Sequence, residues 1–174
     1  MDDLRYPIGR FERPAAVAAE KREGLIAEIE RLPAALAEVA TSLSPQQLGT
    51  HYRPEGWTLR QVVHHVPDSH MNAYVRFRLA LTEEEPVIKP YDEAAWAHLG
   101  DALDGPIDVS LALLNALHSR WVALMRAMTP PEWERAFRHP EHGRMRLDQT
   151  LAVYAWHGRH HLGHIQRTRE RNGW

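Results

Sequence analysis

The sequence predicts an all-α fold, an antiparallel four-helix bundle that forms a single domain over residues 1–174. Two observations support this prediction. The chain has 174 residues, which is the length of one ordinary domain. Hydrophobic residues recur at steps of three and four in four long segments, which is typical of amphipathic helices, and no segment alternates with period two for long enough to suggest a sheet.

The first two long helices occupy the N-terminal half. The first is predicted over residues 14–43, where Pro33 is expected to kink or break it. The second is predicted over residues 58–82, with Thr58 as its N-cap and a bend expected at Pro67. Both segments carry their hydrophobic residues on one face, so each is expected to pack against the other helices of the bundle.

The other two long helices are predicted over residues 108–128 and 147–171, the last ending at Gly173. Residues 1–14 contain two prolines and a glycine and are expected to form an irregular arm. Residues 133–145 are expected to form a turn or a small hairpin. Four long helices with short connections lead to the bundle prediction.

The composition excludes several classes of function. Acidic residues number 23 and basic residues 21, and a net charge of −2 is too balanced for a nucleic-acid-binding surface or a polybasic membrane anchor. No apolar run reaches the length of a membrane span, and the start lacks a secretory apolar core. The absence of cysteine excludes disulfides and cysteine nucleophiles. We therefore expect a cytoplasmic protein that acts on a small-molecule substrate, with no nucleic-acid or membrane partner.

Histidines are the unusual feature of the composition. The chain has 12, and seven of them fall in two short windows on the second and fourth predicted helices. These seven are His64, His65, His70, His157, His160, His161 and His164. The second window contains two pairs at the four-residue spacing that lets two imidazoles on a helix bind one ion, 157/161 and 160/164.

The hydrophobic face of the fourth helix distinguishes these two pairs. At about 100° per residue, His161 lies closest to the centre of the apolar face, His157 is next, and His160 is farthest from it. A metal ion inside the bundle would therefore bind His157 and His161. His164 would lie beside the site, and His160 would face solvent or a partner.

The second helix must supply a further ligand. His65 borders its apolar face, His64 points away, and His70 falls on the apolar side, where it is expected to be a hydrogen-bonded core residue. Periodicity favours His65 over His64 but does not clearly separate His65 from His70. One buried histidine is more often a core residue than a ligand, but two clusters on separate long helices favour a metal site. The His-Glu-x-x-His motif of zincins is absent, because Gly158 occupies the glutamate position.

The two longest motifs of the chain are WTLRQVVHHVPDSHMN at 57–72 and YAWHGRHHLGHI at 154–165. They resemble those of the YfiT family of metal-dependent hydrolases, within the DinB/YfiT-like superfamily. It extends over nearly the whole chain through shorter segments at 6–9, 76–83, 89–93, 117–121 and 137–140.

The resemblance implies a four-helix bundle, a homodimer, and one divalent metal ion per subunit, Zn²⁺ or Ni²⁺. It also implies that the ligands are His65, His157 and His161, which agrees with the helical periodicity. Arg159 replaces a hydrophobic residue of the family pattern, on the outer face of the helix. Val153 and Trp156 lie on the flank of this helix away from the core and are expected to contribute to the dimer.

Three neutral histidines with an open coordination position are typical of catalytic rather than structural zinc. Such an ion activates water for hydrolysis of an ester or amide bond. It is also compatible with a second chemistry, in which an exogenous thiol such as bacillithiol binds as thiolate and attacks an electrophile. A non-catalytic bundle that binds a metal or ligand is the third alternative.

Auxiliary residues are predicted less specifically. Asp68, one turn after His65, is the first candidate, because metal-binding imidazoles usually donate their other N–H to a carboxylate or carbonyl. The other candidates are Asn72, Tyr91, Asp92 and His164. The sequence does not identify the substrate or a general base.

Overall fold

The computed structural model describes residues 2–174, and side chains from residue 4 onward. In chain order its helices are α1 (Asp2–Arg5), α2 (Ala19–Thr41), α3 (Pro45–Leu48), α4 (Leu59–Thr82), α5 (Glu93–Ala97), α6 (Gly100–Asp104), α7 (Ile107–Ala127) and α8 (Leu147–Asn172). A 3₁₀ turn at Pro130–Glu134 and strands β1 (Ala136–His139) and β2 (Gly143–Arg146) lie between α7 and α8. The four-helix bundle prediction is confirmed, with α2, α4, α7 and α8 as its helices.

Each long helix has two long neighbours, in the spatial order α2, α7, α4, α8 and back to α2. Two of these neighbouring pairs are antiparallel. In α2 and α7, Arg126 bonds Glu23 while His118 bonds the carbonyl of Ile29. In α4 and α8, His65 lies in the first half of α4 and contacts the 157–161 turn, which extends into the second half of α8.

The other two neighbouring pairs run parallel, so the antiparallel arrangement predicted for the bundle holds for only two of its four neighbouring pairs. His70 and Phe77 of α4 contact His118 and Trp121 of α7 in the same chain direction. The start of α2 lies beside the start of α8, and the middle of α2 lies beside the middle of α8. Consecutive helices that lie parallel need a long connection that returns along the bundle. Residues 83–106, between α4 and α7, supply it and contain α5 and α6.

Local sequence signals account for most helix ends. The Thr58 hydroxyl accepts from the backbone N–H of Gln61, and the Gln61 side chain accepts from the N–H of Thr58, which forms a capping box at the start of α4. At the same end of the bundle, α8 stops at Gly173, whose φ of 71° is the left-handed conformation typical of a C-terminal stop.

Neither internal proline ends its helix. Pro33 lies inside α2 and Pro67 inside α4, so of the kink or break expected at Pro33 the break does not occur. A proline in a helix interior costs about 3 kcal/mol in an isolated helix. Both prolines are buried against the rest of the bundle, and tertiary packing of the apolar face offsets that cost.

The hairpin expected in residues 133–145 is confirmed as an antiparallel pair of short strands. Phe137 of β1 pairs with Met145 of β2, and both side chains are buried in the bundle core. The hairpin therefore closes one side of the bundle and brings the turn between its strands near α8.

The N-terminal arm packs along α8 in the structure. One helical turn, α1, lies at the start of the arm, and the rest of the arm follows an irregular path. The N–H of Val17 donates to the buried Asp148 carboxylate at 2.9 Å, and the ring of Phe11 lies 5.7 Å from that of Trp156. Within the described residues, no helix is long and apolar enough to span a membrane.

The buried apolar residues form two clusters, and the histidines lie between them. Along α4 the clusters are separated by the segment from Val66 to Ala73, and along α8 by the segment from Ala155 to Ile165. Along α8 this segment contains all four of its histidines, whereas along α4 it contains His70 and begins directly after His64 and His65.

Candidate metal centre

The three predicted metal ligands come together where α4 crosses α8. His65, His157 and His161 each offer one ring nitrogen, and these nitrogens all lie within 4.8 Å of one another. The Nε2 atoms of His65 and His157 are 3.2 Å apart. The four-residue spacing on α8 places the 157 and 161 rings on the same face, with centroids 4.4 Å apart.

This donor set fits a divalent ion with nitrogen ligands. Two nitrogens at 2.0–2.1 Å from a tetrahedral ion are separated by roughly 3.3 Å, which the 3.2 Å distance between His65 and His157 matches. Burial lowers the pKa of His65 to about 4 and holds the pKa values of His157 and His161 well below their usual value. All three rings are therefore neutral at pH 7, which is the form that binds metal.

A second group of histidines shares a member with the first. His160, His161 and His164 also have ring nitrogens within 4.8 Å of one another. The expectation that His160 faces solvent was wrong, because its exposure is 8%, and the alternative that it faces a partner stays a prediction. Trp156 stacks on its ring with centroids 4.5 Å apart, and Tyr6 from the N-terminal arm lies at 6.1 Å. The sequence pattern did not reveal this cover because the arm has no helical periodicity.

His164 lies beside the first group, as expected. Its Nδ1 is 3.4 Å from Nδ1 of His161, and its Nε2 is 3.2 Å from the backbone carbonyl oxygen of Arg5. The ring of Tyr52 stacks on it with centroids 4.0 Å apart. Both ring nitrogens of His164 thus have partners within the chain.

The other two histidines of α4 have different roles. His70 is fully buried and hydrogen-bonds both His118 and His157, so its assignment as a hydrogen-bonded core residue is confirmed. His64 points away from the three-histidine group, as expected. It is nevertheless buried, because its ring bonds the Ser110 hydroxyl at 2.7 Å beneath the connection between α6 and α7.

Two cavities meet at the three-histidine group. The first, of about 370 Å³, is lined by residues of α4, the hairpin and α8, including Arg76, Tyr154 and His157. The second, of about 380 Å³, is lined by His65 and His161 and by residues of the N-terminal arm and the 52–57 turn. His157 and Glu93 line both cavities. A small molecule in either cavity would lie against the histidine group.

Comparison with known proteins assigns the family. The model of the DinB superfamily matches residues 28–165, which include all three histidines of the group. The chain belongs to the DinB superfamily. The family predicted from the sequence motifs is thereby confirmed.

Relatives in this superfamily match over the full chain. A protein of Bacillus mycoides (strain KBAB4) is 52% identical over 174 residues, covering 100% of both chains, and one of Bacillus cereus (strain B4264) is 51% identical over the same length. Both carry the name "Putative metal-dependent hydrolase".

Two solved structures support the same fold. YfiT from Bacillus subtilis, described as having an unusual four-helix bundle topology, superposes with a TM-score of 0.97 at 44% identity, covering 99% of each chain. TT2238, another four-helix bundle protein, superposes with a TM-score of 0.59 at 20% identity, covering 84% of this chain and 98% of its own. At that identity the second likeness concerns the fold alone.

Two charged residues of this DinB site were missed by the sequence reasoning. Glu93, at the start of α5, is solvent-accessible, but neighbouring groups partly enclose its carboxyl, and this burial raises its pKa against the opposing effect of Arg76. The signals were present, because Glu93 ends the family motif at 89–93, and Arg76 lies on the His65 edge of α4. Asp92 was considered instead, but its carboxylate caps α5 through the N–H of Ala95.

Asp68 lies apart from the histidine group. Burial, with a smaller effect from Asp101, raises the pKa of its carboxyl to about 6. In the part of the chain that the structure describes, Asp68 lines neither cavity and makes no hydrogen bond to His65. Within the described residues, Asp68 and His65 therefore do not form the expected hydrogen bond. A catalytic role for Asp68 stays a prediction.

Proposed function

We propose that this protein is a metal-dependent hydrolase in which His65, His157 and His161 hold one divalent ion, Zn²⁺ or Ni²⁺. The observation that carries the proposal is the convergence of three neutral imidazoles within 4.8 Å at the junction of two cavities. The name of the Bacillus relatives supports the same class of reaction.

When bound by these three imidazoles, such an ion would retain an open coordination position and would supply Lewis-acid activation of water and of a carbonyl group. Glu93 is the residue we propose as the proton acceptor, because its carboxyl lines both cavities beside His157. Its raised pKa makes it a better base than an ordinary exposed glutamate. Arg76, in the first cavity, supplies a positive charge that orients an anionic or carbonyl oxygen of the substrate.

The size and lining of the cavities favour a small molecule with an ester or amide bond. Each volume, about 370 and 380 Å³, lies in the range of small-molecule sites. Trp57 packs over His65 with ring centroids 4.7 Å apart and limits the access of water to that side of the histidine group.

The test uses the full-length protein, stripped with a chelator and reloaded with Zn²⁺ or Ni²⁺. We expect hydrolysis of members of an ester and amide panel only after loading, without added thiol. Glu93→Gln should keep the metal and lower turnover by about 10²–10⁴-fold. Glu38→Gln is the matched control, because Glu38 is an exposed glutamate of α2 that lines neither cavity.

The other chemistries give different results in the same experiment. Turnover of electrophiles such as epoxides only after addition of bacillithiol would replace hydrolysis with thiol transfer. Stoichiometric metal without turnover in either panel would indicate a binding protein. Failure of the loaded protein to retain metal would contradict the three-histidine site itself.

A further inference from the structure

We infer that two chains of hydrogen-bonded histidines, each anchored on a backbone carbonyl, fix the tautomers of His157 and His161. In the Ile29 chain, the carbonyl of Ile29 is followed by His118, His70 and His157. In the Arg5 chain, the carbonyl of Arg5 is followed by His164 and His161. The inference rests on the ligand set proposed above and assigns positioning roles to three further histidines, His70, His118 and His164.

The Ile29 chain can be followed atom by atom. Nδ1 of His118 lies 2.6 Å from the carbonyl oxygen of Ile29, and because a carbonyl only accepts, Nδ1 must carry the proton. A neutral imidazole has one N–H, so Nε2 of His118 is an acceptor. It lies 2.9 Å from Nδ1 of His70, which must therefore donate.

The same step repeats at the end of this chain. With its proton on Nδ1, His70 can only accept at Nε2, which lies 3.1 Å from Nδ1 of His157. His157 therefore carries its proton on Nδ1, and its Nε2 is left with a free lone pair. That Nε2 is the atom that faces His65 at 3.2 Å.

The Arg5 chain reaches the second ligand of α8 in two steps. Nε2 of His164 lies 3.2 Å from the carbonyl oxygen of Arg5 and so donates to it. The Nδ1 of His164 is then an acceptor, and it lies 3.4 Å from Nδ1 of His161. His161 thus also carries its proton on Nδ1 and presents the lone pair of Nε2.

Neutral rings are required for this assignment, and burial favours them. The exposures of His70, His118 and His164 are 0%, 1% and 3%. An imidazolium ring in such surroundings would lose its hydration without a paired anion. A second hydrogen bond on a ligating imidazole fixes the ring orientation and raises its basicity, usually through a carboxylate or carbonyl. Here the hydrogen bonds of other histidines connect the backbone carbonyls to the ligating rings and fix their orientation.

The test begins with the metal-free full-length protein labelled with ¹⁵N-histidine. Two-bond ¹H–¹⁵N spectra distinguish the two nitrogens of each ring, and we expect His157 and His161 to be protonated on Nδ1. In His70→Leu, His157 loses its acceptor, so the Nε2-protonated tautomer should appear for His157 while His161 is unchanged. His164→Leu should do the reverse.

Affinity for Zn²⁺ alone, measured by competition with a chelator, is the second readout. His70→Leu, His118→Leu and His164→Leu should each bind Zn²⁺ about 10–100-fold more weakly. His64→Leu is the matched control, because His64 is a buried, hydrogen-bonded histidine of the same helix that belongs to neither chain. His70→Gln should restore part of the affinity, since an amide supplies one acceptor and one donor.

Protonation of His157 or His161 on Nε2 in the wild-type spectrum would overturn the inference. Zn²⁺ binding by the three leucine variants as tight as in the wild type would also overturn it. A wild type that shows the expected tautomers but binds no Zn²⁺ would instead contradict the proposed function and leave the chains intact. If His70→Leu does not fold, as thermal denaturation would show, the wild-type spectrum and His118→Leu still decide.

Discussion

His65 and His157 are 92 residues apart in sequence, and their Nε2 atoms face each other at 3.2 Å. Two ring nitrogens with free lone pairs repel each other at that distance unless a proton or a cation lies between them. Because His157 presents a lone pair, the metal-free pair is joined by a proton on Nε2 of His65. Binding of an ion in that position requires His65 to carry its proton on Nδ1 instead.

The ligand set gives the first prediction. We expect His65→Ala, His157→Ala and His161→Ala each to abolish stoichiometric binding of Zn²⁺, since two remaining imidazoles do not complete a site. Metal content after dialysis, measured by elemental analysis, checks this result. His160→Ala is the control and should retain the metal, even though His160 is buried next to His161. Retention by His157→Ala together with loss in His160→Ala would show that the other histidine pair of α8 holds the ion.

Close packing of α8 on α2 gives the second prediction. A Cβ atom at Gly158 would lie 2.5 Å from Cδ2 of Leu32, whereas one at Gly24 would meet nothing within 4 Å. We expect Gly158→Ala to lower the free energy of unfolding by about 1–3 kcal/mol through overpacking of α8 against Leu32, next to His157. Gly24→Ala should raise it by about 0.5–1 kcal/mol, since Gly24 is an exposed residue within α2. Urea unfolding measures both, and effects of equal sign would contradict the prediction.

Much of the fold was predictable because it depends on local patterns. The three- and four-residue spacing of apolar residues predicted the four long helices, and the side chain of Thr58 predicted the start of α4. Pro33 did not break α2, because its local cost is offset by packing that no local pattern records. The bend expected at Pro67 stays a prediction. The parallel arrangement of α4 with α7 likewise depends on the whole chain.

The candidate site was predictable to the extent that it lies on helix faces. The periodicity of α8 selected His157 and His161, which the structure brings to His65. The environment of His160 was not predictable, because Tyr6 comes from a distant irregular segment. His118 was missed for a similar reason, since its role depends on contacts with Ile29 and His70 across two other helices.

Association gives the third prediction, a homodimer, which rests on the resemblance to the YfiT family. The two residues expected at its interface, Val153 and Trp156, already have contacts within their own chain. Trp156 packs against Phe11 and His160, and Val153 lines the first cavity. Light scattering on the protein at micromolar concentration should give twice the mass of one chain. The mass of a single chain would contradict the prediction.

Acid sensitivity gives the fourth prediction. Burial lowers the pKa of His118 from 6.5 to about 4. Between pH 6.5 and 4, His118 is protonated in the unfolded chain but stays neutral in the folded chain. Its contribution to stability is therefore fully present above pH 6.5 and is lost as pH falls from 6.5 towards 4. A shift of this size corresponds to at most about 3 kcal/mol.

His118→Gln should therefore flatten the decline in unfolding free energy of the metal-free protein between pH 7 and 4.5, although it lowers stability at pH 7. His98→Gln, at an exposed histidine of the α5 C-cap, should leave the decline unchanged. Urea unfolding at several pH values measures the slopes, and an equal slope in the wild type and His118→Gln would show that His118 does not carry this effect.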